Sequence, residues 1–480
     1  MEVQSSLMHF DNIYSPSVYI KGAVLTMKRF LLICLLATLL IAILGVSVAG
    51  AQGARRYIIF SERAGGMTTL MGSQARIAGG TTVGALRGTN AFVVQSTDRN
   101  FATRMRAMGY VVPPDRVVRN AEPAHVVSEV VSPSANSGLS NPRFPLQWYL
   151  DAVRAREGWI DGRRGAGAVV AVLDEGFFLN HPDLAPNFLS QYGASFVPGE
   201  TVQWTVAPGF SHGTHVSGII AAVDDTFGTV GVAPETKIVP IKVLSEQLGY
   251  GLDSWVIGGM LYASELRAYF GVPISVINMS LGGLYETCDA DCIATRKLYN
   301  SVVALVRQRG VSVFASAGND AVNFDQNPLS LNLPSMANGV VAITATGPEG
   351  WASRTAADPR RPASYSNWGV RNADFASTGG DFNLFGTAEG DATCTVAGVA
   401  RPCWVFDMVF SPSFVDGPNA FYSWAAGTSM AAPTATGLAA QIIGAQGLLT
   451  PAQLERELDR RAQNLSPVAF YGKGFTRATR

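Results

Sequence analysis

Four polar side chains stand in surroundings suited to acyl transfer. Ser429 lies in Gly427-Thr428-Ser429-Met430-Ala431-Ala432-Pro433, ahead of an apolar run that reads as a helix from Met430 to Ile443. A helix N-terminus gathers unpaired backbone N–H groups and the positive end of the dipole. Pro433 falls in the first turn, where a missing N–H costs little. A hydroxyl is a poor nucleophile until a base takes its proton, and histidine suits that task because it titrates near neutrality. His212 sits in Ser211-His212-Gly213-Thr214-His215-Val216-Ser217-Gly218, a loop entering a second helix of small apolar residues. Asp174 ends the apolar run Val169-Val170-Ala171-Val172-Leu173 and precedes Glu175-Gly176. A carboxylate on such a rigid element can fix an imidazole tautomer and stabilise the imidazolium. Asn319, in Ala315-Ser316-Ala317-Gly318-Asn319-Asp320, follows another apolar run. Its side-chain amide and the N–H of Ser429 could together hold a developing oxyanion.

Each of these residues also has an ordinary reading. A lone serine before a helix is a cap. His212 and His215 resemble a zinc pair, but no third nitrogen or sulfur ligand follows at metal spacing. His215 reads as a packed helix residue, and His181, before Pro182, as part of a turn. It is the company of Asp174, His212 and Asn319 that makes Ser429 a nucleophile. A binding scaffold without chemistry is the competing class. It would be expected to lack one of the four, and this chain has all of them.

The elements that must position these residues are legible. Apolar runs at Ala168–Leu173, Lys237–Val243, Ser275–Met279, Val311–Ala315 and Val340–Thr344 alternate with helical patterns such as Trp255–Ala268 and Leu298–Arg309. Continuous apolar strands separated by helices predict an α/β fold: a mainly parallel sheet with helices on both faces. In such sheets the site lies at the carboxyl ends of the strands. A smaller α+β block precedes it at 55–125, with strands expected at Arg56–Phe60 and Ala91–Gln95 and a helix within Arg99–Met108. Residues 126–145, polar and Pro-rich across Val127–Pro142, read as an exposed linker. Residues 146–480 form the large domain.

The segment from Met27 has a basic start, an apolar run Phe30–Val48 and the sequence Ala49-Gly50-Ala51. That pattern predicts a signal peptide over 27–51, cleaved after Ala51, and hence a secreted protein. An uncleaved membrane anchor is the alternative. Residues 1–26 read as a non-native extension upstream of the true start at Met27. Lys plus Arg and Asp plus Glu both number 36 across 480 residues, so nothing points to nucleic acid. In an exported chain the close spacing of Cys288 with Cys292, and of Cys394 with Cys403, predicts two local disulfides, with a metal site as the competing reading.

The four segments, with Gly231-Val232-Ala233-Pro234, Val276–Gly283 and Tyr365-Ser366-Asn367-Trp368-Gly369, resemble the subtilase family of serine peptidases over about Gln147–Gly474. The order Asp, His, Ser is that of the subtilisin template itself, so it is a match and not a derivation. The resemblance implies a serine endopeptidase with Asp174, His212 and Ser429 as its triad and Asn319 in the oxyanion hole. No catalytic cofactor is implied. It also implies that Ser280-Leu281-Gly282 bind the substrate backbone, and that Asp183 and Asp225 hold a structural calcium. The 55–125 block becomes an inhibitory propeptide, cut away within Val127–Pro142. The expected partners are protein or peptide substrates and this propeptide, acting on a monomer. Two departures stand out. Glu175 takes a place usually held by Ser or Thr, and an acid so near Asp174 would raise one pKa if buried. Residues 379–419 read as a surface insertion stapled by Cys394 and Cys403.

Overall fold

The computed structural model describes residues 53–61, 68–120, 126–131, 143–206, 209–417 and 419–480. The expected extension 1–26, the signal segment 27–51 and the 132–142 part of the linker lie outside these residues.

Strands β1 (Arg55–Phe60), β2 (Thr81–Leu86) and β3 (Ala91–Ser96) form an antiparallel sheet in the order β1-β3-β2, with helices α1 (Thr68–Ile77) and α2 (Phe101–Ala107). Successive side chains of a strand face opposite sides. Tyr57 and Ile59 accordingly pack with Met71, Phe101 and Met105 beside the helices, while Ile58 and Phe60 join the core of the large domain. Burial on both faces explains why this strand reads as an unbroken apolar run. β4 (Val117–Asn120) and β5 (Val126–Val131) follow. β5 falls in the expected linker but pairs along its whole length with a strand of the large domain, Val126 opposite Ala425 and Val131 opposite Ala420. Its β-branched valines favour an extended, pleated backbone and outweigh the polar character of the residues after it.

The large domain runs α3 (Trp148–Ala152), α4 (Ala155–Ile160), β6 (Val169–Asp174), β7 (Ala194–Ser195), α5 (His212–Ala221), β8 (Lys237–Lys242), β9 (Leu244–Ser245), β10 (Tyr250–Leu252), α6 (Asp253–Phe270), β11 (Ile274–Met279), β12 (Leu281–Tyr285), α7 (Ala290–Gln308), β13 (Ser312–Ser316), β14 (Leu331–Leu333), β15 (Val340–Thr346) and β16 (Phe375–Thr378). It closes with β17 (Thr393–Val396), β18 (Val399–Pro402), β19 (Val409–Asp416), β20 (Asn419–Ala425), α8 (Thr428–Gln446), α9 (Pro451–Arg461) and α10 (Val468–Tyr471). The central sheet has seven parallel strands in the order β16-β15-β13-β11-β6-β8-β7. All five expected strands lie in it. Apolar residues of α5 and α8 pack in the core on one face, and those of α6 and α7 in the core on the other.

Both disulfides form as expected, Cys288–Cys292 and Cys394–Cys403. The surface-insertion reading of 379–419 needs correction. Its β17–β18 hairpin is largely exposed, but Trp404, Val405, Phe406, Met408, Val409 and Phe410 are buried. β19, β20 and β5 form one sheet. It packs against α5, where the Ser411 hydroxyl donates to the His215 carbonyl. An apolar stretch as dense as Trp404–Phe410 is too large to leave in water at about 25 cal/mol per Å2. Among the described residues no helix is long and apolar enough to cross a membrane.

Candidate active site

Asp174 ends β6 and His212 opens α5, and both side chains are buried. The His212 Nδ1 lies 2.9 and 3.0 Å from the two Asp174 carboxylate oxygens. A carboxylate only accepts, so the ring proton sits on Nδ1 and Nε2 is the basic nitrogen. Ser211 caps α5 by accepting from the Thr214 N–H at 3.3 Å, and its hydroxyl donates to the Gly176 carbonyl at 3.1 Å. Gly213 allows this close approach: a Cβ there would lie 2.5 Å from the Gly176 carbonyl and 3.0 Å from the Asp174 Cβ.

Ser429 falls in the first turn of α8, which begins one residue before it and two before the expected start. Its hydroxyl donates to the Ser280 carbonyl at 3.1 Å, and the Ser280 hydroxyl donates back to the Ser429 carbonyl at 2.8 Å. This exchange ties the start of α8 to the junction of β11 and β12. Asn319 lies three residues beyond β13. Its Oδ1 accepts from the Thr428 N–H at 2.9 Å and from the Thr428 hydroxyl at 2.7 Å. The amide is therefore oriented, with Nδ2 turned the other way. A Cβ built on Gly427 would lie 3.2 Å from Asn319 Nδ2 and 3.5 Å from Ser429 N, so the two donors border one small space.

The first block reaches directly into this region. β4 lies between two strands of the large domain and runs antiparallel to both. Asn120 is opposite Leu281 and Arg119 opposite Gly282 on β12, while Val118 is opposite Gly251 and Val117 opposite Leu252 on β10. Leu281 and Gly282, expected to bind a substrate backbone, thus pair with the chain's own strand, and Ser280 adjoins Ser429. Beside them a cleft of about 670 Å3 is lined by Arg119, Gly282, Gly283, Asn319, Asp320 and Asn332, among others. Just ahead of β4, Asp115 accepts from the Ser254 N–H at 2.9 Å and its hydroxyl at 2.8 Å, at the start of α6. Arg106 and Arg116 pair with Asp291 and Asp289 at the start of α7.

Glu175 bridges the two halves. Its Oε1 accepts from the His212 N–H at 2.9 Å and its Oε2 from Asn120 Nδ2 at 2.6 Å. Burial pushes its carboxyl up to about 7, and the negative charge of Asp174 adds a smaller push the same way. The neighbouring carboxylate, expected as the main cause, is thus secondary to desolvation. Behind Glu175 the fully buried Lys242 donates to the Glu175 carbonyl and lies 3.1 Å from both Glu200 and Glu246.

His215 is buried, with Nε2 2.9 Å from the Ser423 carbonyl, and burial pushes its pKa down to about 3. His181 is also buried, is pushed down to about 4, and accepts on Nδ1 from the Asp183 N–H. The two carboxylates expected to hold calcium stand in different settings. The fully buried Asp183 accepts from both the N–H and the hydroxyl of Thr229, and burial raises its pKa to about 8. Asp225 stands on an exposed turn and accepts from the Phe227 N–H. Calcium takes six to eight oxygen ligands. Among the described residues no three His, Cys, Asp or Glu side chains gather as a metal site, and the donors around Asp183 carry protons.

Sequence reasoning missed β10, the contact of Asn120 with Glu175, and Lys242. A three-residue strand is too short for a periodic signal. Lys242 did leave one: a lysine ending the apolar run Ile238–Ile241 is out of place unless paired.

Set against known proteins, residues 165–474 match the subtilase family. Subtilisin DY of Bacillus licheniformis is 30% identical over 329 residues, covering 68% of this chain and 96% of its own. An extracellular protease of Xanthomonas campestris is 30% identical over 394 residues, 75% of this chain and 58% of its own. Among solved structures, the epidermin leader peptide processing serine protease of Staphylococcus aureus superposes with a TM-score of 0.66 at 18% identity, covering 89% of this chain and 97% of that one. A protease from Pseudoalteromonas arctica gives 0.53 at 28% identity, covering 71% and 97%. The chain belongs to the subtilase family, and its activity is that of a serine endopeptidase.

Proposed function

We propose that Ser429 is the nucleophile, His212 the base and then the acid, and Asp174 the group that orients and stabilises the imidazolium. In the first step the Ser429 hydroxyl adds to a peptide carbonyl while His212 Nε2 takes its proton. The oxyanion is met by Asn319 Nδ2 and the Ser429 N–H. His212 then gives the proton to the leaving amine, and water hydrolyses the acyl-enzyme by the same route. The observation that carries this reading is the arrangement of His212 Nδ1 on both Asp174 oxygens, with Asn319 oriented towards the first turn of the serine's helix.

In the same reading residues 55–120 act as an inhibitor whose last strand, β4, occupies the place of a substrate. The pairing of β4 on both sides supports this. The maturation cut then falls within residues 121–125, ahead of β5 and not within Val127–Pro142. β5 stays with the mature enzyme, since its partner is β20. Export through the Met27–Ala51 segment is supported by that sequence and by the two disulfides. Expression of the full chain tests the proposal. The wild type should yield a mature form whose N-terminus lies between residues 122 and 126, and Ser429→Ala should remain uncut. A Ser429→Ala chain that matures at the wild-type rate in isolation would refute it.

A further inference from the structure

Pro433 leaves a gap in the hydrogen bonding of α8. The helix opens at Thr428, so Pro433 lies beyond its first turn, one turn later than the sequence implied. The N–H that a proline lacks is the one that donates to the carbonyl four residues back, here that of Ser429. The Ser280 hydroxyl supplies a proton in its stead, donating to the Ser429 carbonyl at 2.8 Å. With that proton spent, the Ser280 oxygen is left to accept, and it accepts from Asn278 Nδ2 at 3.0 Å. The Asn278 amide is thereby turned so that its Oδ1 faces α8, where the Thr436 hydroxyl donates to it at 2.9 Å. Asn278, Ser280, Ser429 and Thr436 are all buried. A threonine inside a helix often spends its hydroxyl on the carbonyl four residues back, as Thr434 does on Met430 at 3.0 Å. Thr436 crosses to β11 instead.

Resting on the reading of Ser429 as nucleophile, we propose that Thr436 and Asn278 are positioning residues for Ser429, acting through Ser280. Three hydrogen bonds run in one direction, from Thr436 through Asn278 and Ser280 to the Ser429 carbonyl. At their end Ser280 holds Ser429 twice, because its own carbonyl accepts from the Ser429 hydroxyl at 3.1 Å. The torsion that turns an asparagine amide is soft, so its partners fix its orientation. Thr436 anchors the accepting end of Asn278, and the donating end then fixes the Ser280 hydroxyl on Ser429. Removing the anchor leaves a buried acceptor without a donor and loosens the amide. Reversing the donating end draws the Ser280 proton away from the Ser429 carbonyl. In either case the first turn of α8 is held less firmly against the junction of β11 and β12. Small displacements of a reacting group lower its rate. The backbone of Leu281 and Gly282 is untouched, so the loss falls on kcat and leaves KM near its wild-type value.

The test is a double-mutant cycle on kcat and KM for a peptide anilide, with the rate of fluorophosphonate labelling of Ser429 as a second readout. Each variant is matured by a trace of tagged wild-type enzyme, which is then removed. Ser280→Ala and Asn278→Asp, which keeps the acceptor for Thr436 and puts an oxygen in place of the donor, should each lower kcat about tenfold. Thr436→Val should lower it about threefold or more, and Thr436→Ser, which keeps the hydroxyl, should restore it. Labelling should slow in parallel. In a Ser280→Ala background, Thr436→Val and Asn278→Asp should change kcat by less than about twofold, because the path to Ser429 is already cut. A merely structural role would instead lower kcat by the same factor in both backgrounds, and that result overturns the inference. So does a Thr436→Val enzyme with wild-type kcat and labelling rate. Wild-type turnover in Ser280→Ala overturns it even where Thr436→Val or Asn278→Asp does not fold. Each of these results leaves the peptidase reading intact while the wild type is labelled at Ser429; a wild type that takes no label overturns both.

Discussion

Asn319→Asp separates the two ends of one amide. In the wild type, Oδ1 accepts from the N–H and hydroxyl of Thr428, and this turns Nδ2 towards the space beside Ser429 N. Aspartate keeps the acceptor in place and puts an oxygen where the donor was. Loss of one oxyanion donor costs about 10²–10³ in turnover, or about 2.7–4 kcal/mol. That range was established on the corresponding donor of a subtilisin and is adopted here for a relative. The aspartate also sets a negative group against the oxyanion, so the upper end is expected. KM should change little, because the interaction is made chiefly in the transition state. Asn319→Ala removes both ends. It leaves the N–H and hydroxyl of the buried Thr428 without the oxygen that accepts from them, at about 1–3 kcal/mol of stability, so its thermal midpoint should fall while that of Asn319→Asp stays near wild type. Each variant is matured by a trace of tagged wild-type enzyme, which is then removed, and kcat and KM are measured on a peptide substrate. An Asn319→Asp turnover within about threefold of wild type would refute the oxyanion argument, since the smallest expected loss is about 10².

Three further outcomes follow from the same geometry. Glu175, with its carboxyl pushed up to about 7 by burial, faces Asp174, His212 and Asn120. Once β4 leaves, that carboxyl regains water and ionises at lower pH, where its charge supports the His212 imidazolium, so Glu175→Ser should change the acid limb of the pH–rate profile; an unchanged limb counts against this. Asp253, at the start of α6, is pushed up to about 7 by burial, with Asp115 adding to the push and Tyr299 and Arg116 opposing it. On release of the block the carboxyl regains water and falls toward its ordinary value of about 3.9. The bound state therefore holds the extra proton, and its hold is full below the ordinary range and lost as pH rises through about 7. After cleavage the block should leave faster at pH 8 than at pH 5, and Asp253→Asn should remove the difference. Lys242→Met strands the buried Glu200 and Glu246 carboxylates and should cost about 3–5 kcal/mol, read as a lower denaturant midpoint; a midpoint equal to wild type would show that the ion cluster does not hold the loop behind Glu175.

The parts of the fold that were legible are those where one physical signal dominates. The strands of the parallel sheet are buried on both faces, and their unbroken apolar runs, such as Val169–Leu173, could be placed within a residue or two. Asp174, His212, Asn319 and Ser429 each follow or open a regular element, so their approach could be anticipated from the ends of strands and helices. What stayed hidden depends on residues far apart in sequence. β4 becomes a strand because β12 and β10 flank it, and neither its four residues nor the three of β10 carry enough alternation to reveal it. β5 was obscured by polar neighbours. The apolar run Trp404–Phe410 could have argued against a surface insertion, had its hydrophobicity been weighed above the nearby cysteine pair. Asp183 met the expected pattern in sequence, yet the fold surrounds it with hydrogen-bond donors from Thr229.

The central claim is that Ser429 attacks carbonyls once β4 has left the cleft. Treating the matured wild-type protein with a fluorophosphonate and locating the adduct by mass spectrometry tests it most directly. The account predicts stoichiometric labelling at Ser429, much slower labelling of the uncut chain, in which β4 fills the cleft, and none in matured Ser429→Ala. A matured wild type that stays unlabelled, or that is labelled at another residue, would contradict it.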